Sequence, residues 1–134
     1  MDPLHADSAY SGLLYSEDFY RRALRKLRPG GILCTWLPSA RTYTTFAAAA
    51  PYVVEFGGNM LLGANEPIPL ELERWLARLR RPEVLAYLGA VASAEVAARL
   101  AQARPGDPPA PGRILPNTDL FPRDELGRDW RDRP

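Results

Sequence analysis

The sequence predicts an α/β fold, and three features carry that reading. They are an amphipathic helical pattern stopped by Pro29-Gly30-Gly31, a continuous apolar run directly after it, and a Gly57-Gly58-Asn59 turn between two further apolar segments. The expected order is one parallel strand and a β-hairpin with flanking helices, followed by a helical carboxyl-terminal segment.

Residues 6–13 are small and turn-prone and read as a loop. Ser16 is a helix N-cap residue type, and Glu17 and Asp18 place carboxylates in the first turn, where the helix dipole favours them. A helix over 17–28 then recurs apolar at Phe19, Tyr20, Ala23, Leu24 and Leu27, while Arg21, Arg22, Arg25, Lys26 and Arg28 form a solvated face. Ile32 to Leu37 is bounded by Gly-Gly and Pro38, the pattern of a parallel strand covered on both faces, with Cys34 a small buried hydrophobe inside it. Ser39 caps a second helix through Ala50, and residues 52–56 and 60–64 flank the Gly-Gly-Asn turn as a hairpin. Leu70, Leu72, Trp75, Leu76 and Leu79 predict a third helix, Pro82 opens a fourth through Leu88, and Ser93 caps a fifth through Arg104. Residues 105–116 are Pro-rich without periodicity and read as a surface connector, and the charged stretch 128–134 as a frayed end. The divisions are 1–66, 67–104 and 105–134.

Seventeen basic and 16 acidic residues leave a net charge of +1, so no global field recruits nucleic acid or an anionic surface, and a charged ligand has to be met locally. One cysteine supports neither a disulfide framework nor a zinc site. The longest apolar stretch, 46–54, contains Pro51 and is too short to span a bilayer, so a cytoplasmic location is expected. His5 is the single histidine and has no second one to complete a catalytic or metal pair.

Three stretches taken together resemble the spermidine synthase (polyamine aminopropyltransferase) family, and more closely its divergent bacterial branch. Asp2-Pro3 followed by Gly12-Leu13-Leu14-Tyr15-Ser16-Glu17-Asp18-Phe19-Tyr20 is similar to the family's aspartate-bearing loop and helix start. Leu27-Arg28-Pro29-Gly30-Gly31-Ile32-Leu33-Cys34-Thr35-Trp36-Leu37-Pro38 resembles the fifth strand of methyltransferase-like Rossmann domains with its preceding turn. Asn117-Thr118-Asp119, with Pro122 and Glu125 beyond, resembles a tail motif of that branch. The likeness is dense over 2–65 and thin over 70–116.

The resemblance implies the carboxyl-terminal half of a Rossmann-type aminopropyltransferase. Asp2 would orient the acceptor amine and take its proton, since a protonated amine has no lone pair for attack. The second aspartate of the family loop has no well-matched counterpart, Asp7 being the nearest. Tyr15 would border the amine pocket or pack at the helix entry, and Trp36 would face either the core or the ligand crevice at the strand's carboxyl end.

The cofactor motif of a Rossmann domain, a Gly-rich turn after the first strand with an acidic residue after the second, is missing from these residues: Gly30-Gly31 precedes a strand and Gly57-Gly58 lies in a hairpin. The cut would fall just after the fourth strand. No cofactor residues transfer to this chain, although the family uses decarboxylated S-adenosylmethionine as co-substrate. The expectation is a fragment of an enzyme acting on putrescine or a similar amine, inactive alone and completed by an amino-terminal half, with a homo-oligomer or a separately encoded amino-terminal half as the expected partner. The alternatives are a non-catalytic module that completes a partner's sheet, and the remnant of a methyltransferase.

Overall fold

A computed structural model describes residues 12–107 and 114–124. After a 3₁₀ turn at Gly12–Tyr15 come α1 (Glu17–Leu24), β1 (Leu33–Trp36), α2 (Ala40–Ala49), β2 (Tyr52–Phe56), β3 (Met60–Ala64), α3 (Leu72–Leu79), α4 (Pro82–Leu100) and the two-residue β4 (Arg104–Pro105). Mixed helix and strand is therefore the architecture, with one four-stranded sheet in the order β1-β3-β2-β4.

Local chemistry accounts for the helix starts. The Ser16 Oγ accepts from the Phe19 amide at 3.0 Å and the Ser39 Oγ from the Thr42 amide at 3.0 Å, so both expected caps form. Helix α1 ends at Leu24 rather than Arg28. The Lys26 and Leu27 amides bond back to Ala23 and Leu24 over three residues, and Pro29 disfavours helical geometry at the residue before it. The Asn65 side-chain amide then donates to the freed Leu24 carbonyl at 2.8 Å.

The hairpin forms as its turn residues dictate: Gly57 and Gly58 adopt φ of 61° and 73°, and Tyr52 pairs with Ala64 through to Phe56 with Met60. Helices α1 and α2 cover one face of the sheet. Tyr15, Tyr20, Leu24, Phe46, Ala50 and Leu61 are its buried cluster, with the Tyr20 and Phe46 rings edge to face at 4.9 Å. Gly63 makes that packing possible, because a Cβ there would lie 2.5 Å from the Phe46 ring.

Four expectations are corrected. The strand at Leu33–Trp36 is neither parallel nor covered on both faces: its one ladder among the described residues is antiparallel to β3, Leu33 facing Gly63 and Trp36 facing Met60. Its burial alternates, and Cys34 is exposed rather than buried, because successive side chains point to opposite faces and α1 and α2 cover one of them. Ser93 caps no helix. It lies inside α4, which breaks instead at Gly89 (φ 76°, ψ 165°), a conformation open to glycine and not to the residues around it. The connector is not wholly irregular either, since Arg104-Pro105 pairs with Glu55 and Val54 as an edge strand. Among the described residues no helix is long and apolar enough to cross a membrane.

Candidate functional site at the carboxyl end of β1

Strand β1 delivers Trp36 to its end, and the Leu37 amide still bonds to the Asn59 carbonyl at 2.9 Å before Pro38 turns the chain into the α2 cap at Ser39. Behind it, the buried Tyr20 hydroxyl meets Thr35 Oγ1 at 3.1 Å, tying α1 to the strand. Burial raises the Tyr20 phenol far above the ordinary tyrosine range, more than the Thr35 bond lowers it, so the group serves as a neutral hydrogen-bonding hydroxyl.

The tail segment staples this end of the molecule. Asp119 accepts from the Ser16 hydroxyl at 2.5 Å and from the Arg22 guanidinium at 2.8 Å, while its own amide donates to Asp18 at 3.0 Å. Asp124 repeats the arrangement on the second helix, accepting from Ser39 Oγ at 3.0 Å and Arg41 Nε at 3.1 Å. Asn117, fully buried, joins the two halves: its carbonyl receives the Glu17 amide at 2.8 Å, its amide donates to Thr45 Oγ1 at 2.9 Å, and its side chain exchanges bonds with Asp124. Each N-cap serine thus accepts from its own helix and donates to a tail carboxylate, which also places negative charge at two positive helix ends.

Of the residues singled out in the sequence, Tyr15 is 3% exposed and part of the core cluster, where burial raises its phenol. Trp36 lies on the uncovered face of β1 with Ile32 and Cys34. Asp2, with His5 and Asp7, lies outside the described residues. Asn117-Thr118-Asp119 stands out in the sequence as a motif without a role, whereas Asp124 and both cap-to-tail bonds do not show there at all. The available signal was a pair of N-cap serines with a Ser/Thr/Asn/Asp-rich tail, which carries no register between segments about a hundred residues apart.

An open cleft of about 410 Å³ adjoins the strand end, lined by Leu37, Pro38, Ser39, Tyr43, Thr44 and Ile114 among others. Its walls carry hydroxyl groups and apolar surface but no carboxylate. Asp119 and Asp124 are occupied by serine and arginine partners, and among the described residues no cluster of metal-ligating side chains exists. Gly30, at φ 70°, sits at the amino end of β1, opposite Trp36, so the Pro-Gly-Gly turn does not fit a nucleoside cradle at the carboxyl end. No family model, curated protein or solved structure matches this chain.

Proposed function

We propose that these residues are the carboxyl half of a spermidine synthase-like aminopropyltransferase with a methyltransferase-like Rossmann architecture, and that they catalyse no transfer by themselves. The observation that supports this is the open outer edge of β1: among the described residues the strand that carries the family-like motif has a ladder on one side only, which leaves its other edge available to a further strand. The family-like helix start is compatible with it. Helix α1 runs antiparallel to β1, its Leu24 end held by Asn65 just beyond the Gly63 partner of Leu33 and its Tyr20 bonded to Thr35, so Tyr15 and Ser16 lie towards the strand's carboxyl terminus, where ligand crevices of open α/β sheets lie.

In this reading Asp2 orients the acceptor amine and takes its proton, Tyr15 supports the amine pocket from the core side, and Trp36 borders the ligand. The donor, decarboxylated S-adenosylmethionine, is held by a sheet segment that joins β1 and supplies the Gly-rich turn. The test is transfer of a labelled aminopropyl group to putrescine. The 134 residues alone give none, the same residues joined to or mixed with such a segment give product, and Asp2→Asn removes it. Product from the 134 residues alone, or product indifferent to Asp2, refutes the proposal.

A second reading, a non-catalytic module that completes a partner's sheet, is favoured by the engagement of both tail carboxylates in structural bonds. Assembly without any Asp2-dependent product supports it. A methyltransferase remnant rests on the Pro-Gly-Gly strand alone, and competition between S-adenosylmethionine and its decarboxylated form separates it from the first.

A further inference from the structure

The hydrogen-bond parity of β1 fixes which of its backbone groups are open. The Leu37 amide donates to the Asn59 carbonyl at 2.9 Å, and these two residues are the next pair in the register that sets Leu33 opposite Gly63 and Trp36 opposite Met60. Hydrogen-bonded pairs alternate along an antiparallel ladder, so Leu33 and Thr35 turn their amides and carbonyls to β3, while Cys34 and Trp36 turn theirs to the outer edge. Among the described residues neither makes a strand hydrogen bond there. The side chains of these two, with Ile32 two residues earlier, lie on the uncovered face, Ile32 50% and Trp36 36% exposed.

The helix layer is open on the same side. Helix α1 lies over β1 through the bond between Tyr20 and Thr35, and it turns Arg21 towards α2, where the guanidinium donates to the Ala48 carbonyl at 3.2 Å. The flank of α1 away from α2, above the open edge, therefore carries Phe19 and Ala23 at helical spacing, both incompletely buried, with Lys26 at its far end.

This edge fits a second copy of itself. The far edge of the sheet is capped by the two-residue β4, where Pro105 has no amide to offer, so one long edge is open and pairing stops at two chains. From Pro29 to Ala40 the chain has no charged residue, which gives an acidic or basic partner nothing to select and sets no like charges opposite each other about a twofold axis. The outward set is also self-matching. An axis at Cys34 pairs the outward amides and carbonyls, sets each Ile32 beside the other copy's Trp36, and brings the two Cys34 residues together.

We propose that two copies of this chain join β1 to β1 in antiparallel, about a twofold axis at Cys34, to form one continuous sheet with four strands from each copy. A four-residue strand buries less than a standard interface of about 800 Å² per partner, so the dissociation constant lies in the micromolar range. The dimer does not rest on the proposed function: an amino-terminal sheet segment competes for the same edge and returns the chain to a single copy.

Sedimentation velocity of the full chain under reducing conditions, from about 1 to 100 µM, tests this, with conversion to dimer across that range. Cys34→Lys and Cys34→Glu each set like charges together at the axis and weaken dimerisation at least tenfold, with unchanged far-UV circular dichroism because Cys34 is exposed. Equal mixing of the two variants restores the dimer, a rescue that needs position 34 opposed to itself. A wild-type chain that stays monomeric overturns the proposal, as does a dimer indifferent to both substitutions or a mixture of the variants that stays monomeric. Growth past two copies overturns it as well, since that requires a second open edge.

Discussion

The Ser16 hydroxyl donates to the Asp119 carboxylate at 2.5 Å across 103 residues of sequence, so the cap of α1 and the anchor of the tail are one hydrogen-bonded unit. Truncating the carboxylate leaves the Ser16 hydroxyl and the Arg22 guanidinium without that acceptor, while the Asp119 amide keeps its bond to Asp18. Asp119→Ala is expected to lower stability by about 1–2 kcal/mol, at and just below the low end for hydrogen bonds to charged groups because the carboxylate is partly exposed. Arg22→Ala, whose side chain is largely exposed, is expected to cost less than about 0.5 kcal/mol. Urea midpoints at an unchanged slope check both.

Gly63 and Phe46 are in direct opposition. The Gly63→Ala methyl would lie 2.5 Å from the ring of a side chain that is fully buried, so either the ring or the β3 backbone must move. An overpacking loss of about 1–3 kcal/mol is expected in thermal or urea unfolding. Phe46→Leu in the same background recovers part of it, since the contact that fails is with the ring.

Alkaline stability reads out the buried phenols. Tyr20 ionises in the unfolded chain near pH 10 but is raised well above that in the fold, chiefly by burial. A raised folded value stabilises the protein fully below the unfolded value. Above about pH 10 the unfolded state releases the proton first, so stability falls as pH climbs from there towards the folded value. Tyr20→Phe is expected to shallow this decline between about pH 9 and 11, with Tyr15 and Tyr43, also raised by burial, supplying what remains. Urea midpoints across that range decide it, and an unaltered slope counts against the assignment.

The two sheet edges are finished differently. Beyond β2, Pro105 offers no amide and Arg104 pairs with Glu55 at 2.8 Å, whereas β1, with exposed Cys34 and Trp36 and with Ile32 just before it, has no charge or proline within the strand. Ile32→Lys, at a half-exposed position, is expected to change stability by no more than about 0.5 kcal/mol and to suppress self-association seen by light scattering. It should also weaken assembly with a sheet-completing segment, which links this measurement to the proposed function.

Gly89 carries a backbone conformation that L residues disfavour, and nothing lies within 4 Å of the place an added Cβ would take. Gly89→Ala is therefore expected to lose about 1–3 kcal/mol through backbone strain alone, or to straighten α4. Unfolding midpoint and helical circular dichroism distinguish the two outcomes.

The local elements were legible in the order of residues: Ser16 and Ser39 as caps, the hairpin at Gly57-Gly58-Asn59, the third helix and the Pro82 helix start. Each depends on hydrogen bonds or φ preferences within a few residues, and such preferences are written in adjacent side chains. Packing settled the direction and exposure of β1 and the Asp119 and Asp124 contacts that make the tail a staple. A continuous apolar run states that a strand is compatible with cover on both faces, not how many faces other elements reach, and a carboxylate in a polar tail carries no address for a serine about a hundred residues away. Those features arise from long-range contacts, in which α1 and α2 fill one side of the sheet and bring two helix ends within reach of one short segment.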